Sequence, residues 1–170
     1  MNVFEAISKR YSCRSYETKS IEQDKLNKIL EAARLAPSAR NRHDWRFVVV
    51  TDQDMRSRLY EATYNQKIVA QAPAVIVACS NNNDIMRCGQ PVAQIDVAIA
   101  LEHIALQAVE ERLATCWIGS FYPEKVRAVL GIPDDIAIIE LMTVGYPADI
   151  QPAMNREPIE NIACFQKWEF

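Results

Sequence analysis

At 170 residues, 49% apolar and 24% charged, the chain is long enough to bury one well-packed domain. A net charge of −3 excludes the broad basic field that recruits nucleic acid, and no leader or unbroken apolar span is visible, so a cytoplasmic protein without membrane contact is expected. Five scattered cysteines without a CxxC (Cys13, Cys79, Cys88, Cys116, Cys164) read as reduced thiols, and His43 and His103 share no metal-ligand spacing, so no metal site is expected. The four glycines, Gly89, Gly119, Gly131 and Gly145, lie far apart, which excludes a dinucleotide fingerprint and a Walker loop. Any phosphorylated cofactor must then be held by side chains and single backbone groups.

Val3, Phe4, Ile7 and Tyr11 recur at helical spacing and predict an amphipathic helix over 3–10 whose apolar face continues to Arg10. Ser20 and Gln23 have capping-box spacing and start a second helix, with Leu26, Ile29, Leu30 and Ala33 as its core face and Pro37 ending it. A polar loop follows, then a buried strand over 45–51, helical spacing over 52–70, a second buried strand over 73–79 and an Asn-rich loop over 80–90. The central helix spans 92–113, and between Val92 and Val109 only Gln94, Asp96, Glu102, His103 and Gln107 interrupt its apolar run. Such a helix must be surrounded, by the core and by a partner subunit. A short helix over 123–130 and a third buried strand over 136–144 complete the body. The tail over 148–170 ends in Phe165-Gln166-Lys167-Trp168-Glu169-Phe170, which alternates like an edge strand and suits exchange with a partner chain. The pattern is that of a single α+β domain over residues 1–170.

The stretch Arg10-Tyr11-Ser12-Cys13-Arg14 puts two guanidiniums and a hydroxyl within five residues, a set that suits a phosphate. Taken alone it is better explained as a solvated basic helix end answering the helix dipole. The cluster Arg34, Arg40, Arg42 and Arg46 reads as a cofactor rim or a solvated face rather than an RNA surface, and neither Cys88 nor Cys116 has an activating partner in sequence.

Further marks recur in order along almost the entire chain. They are Arg10-x-Ser12-x-Arg14-x-Tyr16, Ala36-Pro37-Ser38-x-x-Asn41-x-x-x-Trp45-x-Phe47, Cys116-Trp117-Ile118-Gly119, Leu130-Gly131-Ile132-Pro133, Gly145-Tyr146-Pro147 and Arg156-x-Pro158. Together they resemble the nitroreductase family of flavin mononucleotide (FMN) enzymes. The resemblance implies a three-layer sandwich with a central mixed sheet, an intertwined homodimer whose tails wrap the partner subunit, and FMN at the interface. It also implies NADH or NADPH as electron donor and a small electron-poor acceptor such as a nitroaromatic or quinone, reduced in a ping-pong cycle without a catalytic side chain.

By this resemblance Arg10, Tyr11, Ser12 and Arg156 surround the flavin phosphate, and Arg14 lies toward the phosphate or the pyrimidine edge. Ser38, Arg40 and Asn41 match a loop given by the second subunit, Asn65 matches an asparagine that bonds the ring, and Ile118 and Gly119 offer backbone groups near its reactive nitrogen. Tyr11 stands where the family often has a second basic residue, and His43-Asp44 where it often has Gln-Pro. Two other readings stay open: a flavin-binding protein that stores flavin or senses redox state, and a same-fold enzyme of dehalogenation or flavin breakdown.

Overall fold

Local chemistry sets most of the element boundaries in the computed structural model, which describes residues 1–150 and 155–170. Helix α1 (Val3–Lys9) starts on a capping box: Asn2 Oδ1 accepts from the Glu5 N–H at 2.9 Å, and the Glu5 carboxylate accepts from the Asn2 N–H at 3.3 Å. Helix α2 (Gln23–Arg34) begins later than Ser20. The chain stays extended through Glu22, whose carboxylate takes the Tyr146 hydroxyl and pairs with Lys19, so the expected Ser20 cap does not form.

Strand β1 (Trp45–Val50) follows the 3-10 turn Ala39–Asn41. The helical stretch expected over 52–70 is two helices, α3 (Gln53–Ala62), capped by Asp52, and α4 (Lys67–Gln71). They are parted by Tyr64 and Asn65, both left-handed at φ 53° and 57°. After β2 (Ala74–Ser80), central helix α5 (Val92–Glu110) ends at Arg112, where a left-handed φ of 62° lets the Leu113 N–H reach the Ala108 carbonyl at 2.7 Å. Strand β3 (Ala114–Ile118) is only five residues long and carries no strand signal of its own in the sequence. Helix α6 (Pro123–Leu130) opens on a proline and closes on left-handed Gly131, and β4 (Ala137–Gly145) is the last strand.

The four strands lie in the order β1-β2-β4-β3. The sheet was expected to be mixed, but every pairing among these strands is antiparallel. The parallel contribution is a single bridge from Ser12 to Thr115 along the outer edge of β3. Alternation sends Ile76, Met142 and Val144 to one face, where they pack on Leu26 and Ile29 of α2 and Leu101 and Ile104 of α5. Val75, Val77 and Leu141 face the other way, against Leu59 of α3, Val69 of α4 and Val126 of α6. Helices on both faces of one sheet make the expected three layers. By length and composition α5 could cross a bilayer, yet Val97, Ala100, Leu101, Ile104 and Ala108 are buried in this core.

Both ends of the chain leave large apolar side chains exposed. Helix α1 buries none of its residues: Val3 and Phe4 are more than 70% exposed and Ile7 is half exposed. The segment over 165–170 forms no strand on its own chain; Phe165 and Trp168 stand out into solvent, and Trp168 meets Phe170 edge-on at 4.9 Å. Both ends present apolar surface that none of the described residues covers.

Candidate functional site

Three groups of residues surround the edge strand β3 and the loop before β1. The first follows from how α1 ends. The Arg10 N–H caps the helix on the Ala6 carbonyl at 3.0 Å and the chain turns extended, which lays residues 11–16 beside β3. Ser12 bridges Thr115, the Cys13 N–H donates to the Thr115 carbonyl at 2.9 Å, and Tyr16 anchors the far end, its hydroxyl 2.9 Å from Thr143 Oγ1. Burial holds the Tyr16 phenol well above the ordinary tyrosine range, so it stays a neutral hydrogen-bonding post. Arg14 is exposed, and its charge partly offsets the burial that raises the Cys116 thiol.

Arg10 and Tyr11 line a cavity of about 580 Å³ with Lys9, Arg112, Thr115 and Pro147. The Tyr11 hydroxyl donates to the Asp149 carbonyl at 3.0 Å, while Arg10 Nε lies 3.3 Å from Glu102 Oε1 on α5. Arg112 brings a further cation to this cavity. No motif marks it in the sequence, because the left-handed exit from α5 is what turns it there.

The second group gathers where β3 ends. The α3–α4 break that carries Asn65 docks on the residues after β3: Gln66 Nε2 donates to the Ser120 carbonyl at 2.8 Å, the Tyr122 N–H donates to the Ala62 carbonyl at 2.8 Å, and Tyr64 stacks on Tyr122. Tyr64, Gln66, Gly119, Ser120 and Phe121 line a hollow of about 520 Å³, so both chain neighbours of Asn65 share it with Gly119. Behind Gly119 lies Glu140, a charge within an apolar strand that no sequence motif marks. Its Oε1 is buried and meets no hydrogen-bond partner among the described residues, and burial raises its carboxyl above the ordinary range.

The third group is the loop carrying Ser38, Arg40 and Asn41. Its shape comes from left-handed residues at Arg40, Asn41 and His43, and from two anchors. The buried Asp96 carboxylate accepts the Ala39 N–H at 3.0 Å, and Ser38 Oγ accepts the His43 N–H at 3.0 Å. Arg42 is taken up by Asp84 and Asp44, whereas Arg40 lines a hollow of about 370 Å³ with Arg87 and Asn82. That hollow shares no lining residue with the two described above. Arg40 thus lines a different hollow from Arg10 and from Gly119.

Arg156 is exposed, and no hydrogen bond or ion pair joins it to Arg10 or Ser12 among the described residues. The tail segment just before it, over 151–154, lies outside the described residues. The three buried thiols are poor nucleophiles: burial pushes Cys79 up to about 11 and raises Cys13 and Cys116. Among the described residues no three His, Cys, Asp or Glu side chains gather as a metal site.

Cations at one end of the β3 edge, a side-chain-free glycine and an orphaned buried carboxylate oxygen at the other, and open space at both ends fit an elongated anionic cofactor such as FMN. Comparison with known proteins agrees with that geometry. The model of the nitroreductase family matches residues 7–87 and 61–146. The chain is 33% identical over 144 residues to a putative NADH dehydrogenase/NAD(P)H nitroreductase of Archaeoglobus fulgidus, covering 82% of each protein. It is 24% identical to the FMN reductase [NAD(P)H] of Bacillus subtilis, over 94% of this chain and 72% of that one. The crystal structure of a nitroreductase family protein from Clostridium difficile superimposes with a TM-score of 0.89 at 30% identity, over 99% of this chain and 100% of the other. On motif order, sheet topology and these likenesses, the chain belongs to the nitroreductase family.

Proposed function

We propose that this family member is a cytoplasmic, homodimeric NAD(P)H-dependent oxidoreductase that holds FMN along the outer edge of β3 and reduces small electron-poor acceptors such as nitroaromatics or quinones. One observation carries the reading: the cation-bearing residues and the ring-edge residues sit at opposite ends of one strand edge. From Thr115, where Ser12 is bridged, to Gly119 is about 13 Å at roughly 3.3 Å per residue, the length of a phosphate, a sugar-like chain and the near part of a three-ring system.

In this reading Arg10 and Ser12 hold the phosphate and Tyr11 fixes the backbone beside it, with Arg156 closing over it from the tail. Arg14 sits at the pyrimidine edge, where a cation favours the negative charge gained on reduction. Asn65 and the backbone of Ile118 and Gly119 fix the ring edge. Ser38, Arg40 and Asn41 reach the same site from the second subunit, in keeping with the separate hollow that Arg40 lines on its own chain. The exposed faces of α1 and of the tail are the surfaces that the second copy would cover. What bound FMN supplies is the redox chemistry, hydride in from NAD(P)H and electrons out to the acceptor in a ping-pong cycle; the protein supplies position and charge.

The test is the visible spectrum of the purified protein, followed by anaerobic addition of NADH or NADPH. A yellow protein that bleaches on addition is the expected result. Colour without bleaching supports flavin storage or sensing instead, and a colourless protein that rejects added FMN overturns the assignment.

A further inference from the structure

We propose that Glu102 is a positioning residue for Arg10: its carboxylate grips the guanidinium on the Nε side and leaves both Nη groups turned toward the phosphate of the bound flavin. The inference rests on the FMN reading above and concerns how this chain aims its main phosphate ligand. Arg10 is the first residue past α1, so its backbone does little to fix a long side chain. Three observations give Glu102 that task. Arg10 Nε lies 3.3 Å from Glu102 Oε1, and among the described residues no protein acceptor meets its Nη groups. Arg10 lines the cavity beside β3, whereas Glu102 does not. Glu102 itself lies beside the Trp117 side chain. Trp117 belongs to β3, so the Arg10–Glu102 pair lies against the strand whose end carries Gly119.

The pair is not kept for what it adds to the fold. Partial burial raises the Glu102 carboxyl above the ordinary range, and the attraction of Arg10 does not cancel that penalty. A planar guanidinium gripped on its Nε edge still presents a two-pronged fork at its far end, the geometry that matches a phosphate.

The experiment compares FMN with riboflavin, which lacks the phosphate, by fluorescence titration of flavin-free protein. Wild type is expected to bind FMN more tightly than riboflavin. Glu102→Gln should weaken FMN by about tenfold while leaving riboflavin unchanged, and Glu102→Asp, which keeps the charge, should recover part of the loss. In an Arg10→Ala background Glu102→Gln should have no further effect, since the coupling runs through that side chain. Equal loss of both flavins, unchanged or tighter FMN in Glu102→Gln, or an undiminished effect without Arg10 overturns the assignment. If a variant does not fold, the crystal structure of FMN-loaded wild type decides: Arg10 Nε still on Glu102 with its Nη groups on the phosphate is expected, and an Arg10 turned away from Glu102 overturns it. A wild type that binds neither flavin, or both equally, defeats the phosphate reading itself, a result distinct from loss of the Glu102 effect alone.

Discussion

A Cβ placed on Gly119 would lie 3.4 Å from Oε1 of Glu140 and 3.5 Å from its Oε2, so the residue at the end of β3 looks directly onto a half-buried carboxyl group. Glu140 sits on the α5 side of β4, paired with Ala78 at the irregular point of the β2–β4 register. Desolvation is the main cause of its raised pKa, and a hydrogen bond from the Leu141 N–H opposes it only in part.

The raised pKa sets the sign of a stability prediction. The folded chain binds this proton more tightly than the unfolded chain, so the protein loses stability as pH rises from the ordinary carboxylate range through the folded value. Glu140→Gln removes the charge. At pH 7 it should melt higher than wild type, by about 2–4 °C for roughly 1 kcal/mol in a domain of this size. The advantage should shrink toward pH 4, where wild type is protonated as well. Thermal melts of both proteins from pH 4 to pH 8 check it, and a constant difference across that range removes Glu140 as the source.

Gly145→Ala tests the anchor of the segment that carries Arg10. A Cβ there would stand 2.5 Å from Pro73 Cδ and 2.8 Å from Tyr16 Cδ1, well inside contact distance and against groups with little room to move. The expected loss is about 1–3 kcal/mol, the usual range for overpacking. Because Tyr16 fixes the far end of residues 11–16, the variant should also bind FMN more weakly. A melt and a flavin titration measure the two effects, and a wild-type melting temperature would show that the turn yields more easily than this contact implies.

The three strands with long apolar runs and the central helix were legible because burial on both faces writes itself as hydrophobicity. Strand β3 was not, since Thr115-Cys116-Trp117-Ile118 is short and its pairing with β4 is a tertiary fact. The Tyr64–Asn65 break was hidden for another reason: two non-glycine residues take a left-handed backbone there, and helical spacing continues across it. Of the candidate site, Arg10, Ser12, Asn65 and Gly119 stood out through the order of motifs. Glu102 and Arg112 had no such mark, being a charge within a greasy helix and the residue that ends it without a glycine. The all-antiparallel sheet could not be read either, because strand direction depends on connections that a hydrophobicity pattern leaves open.

Asp96→Ala tests what shapes the loop before β1. The carboxylate is buried and both of its oxygens face the Ala39 N–H, at 3.0 and 3.2 Å. Its removal leaves that donor without a partner, a penalty of roughly 1–3 kcal/mol. Hydrogen exchange at the Ala39 amide should speed up and FMN binding should weaken, while Asp96→Asn, which keeps an acceptor oxygen, should do less of both. Unchanged exchange at Ala39 would show that the left-handed residues Arg40, Asn41 and His43 hold the loop unaided.

The exposed tail gives the most direct test of the dimer. Phe165 is 85% exposed and Trp168 83%, and among the described residues no segment covers them. Exposed aromatics at the end of an ordered segment are apolar area left for another surface to take, each adding roughly 1.5–3 kcal/mol when fully buried. If the second copy is that surface, removal of residues 165–170 should shift the monomer–dimer equilibrium toward monomer and lower FMN occupancy with it, because Ser38, Arg40 and Asn41 then no longer reach the partner's site. Sedimentation velocity across a concentration series, with the flavin absorbance followed in the same cell, reads both quantities. Loss of dimer with full FMN occupancy would place the whole cofactor site within one chain. An unchanged dimer would show that α1 and its exposed Val3, Phe4 and Ile7 hold the subunits together without the tail.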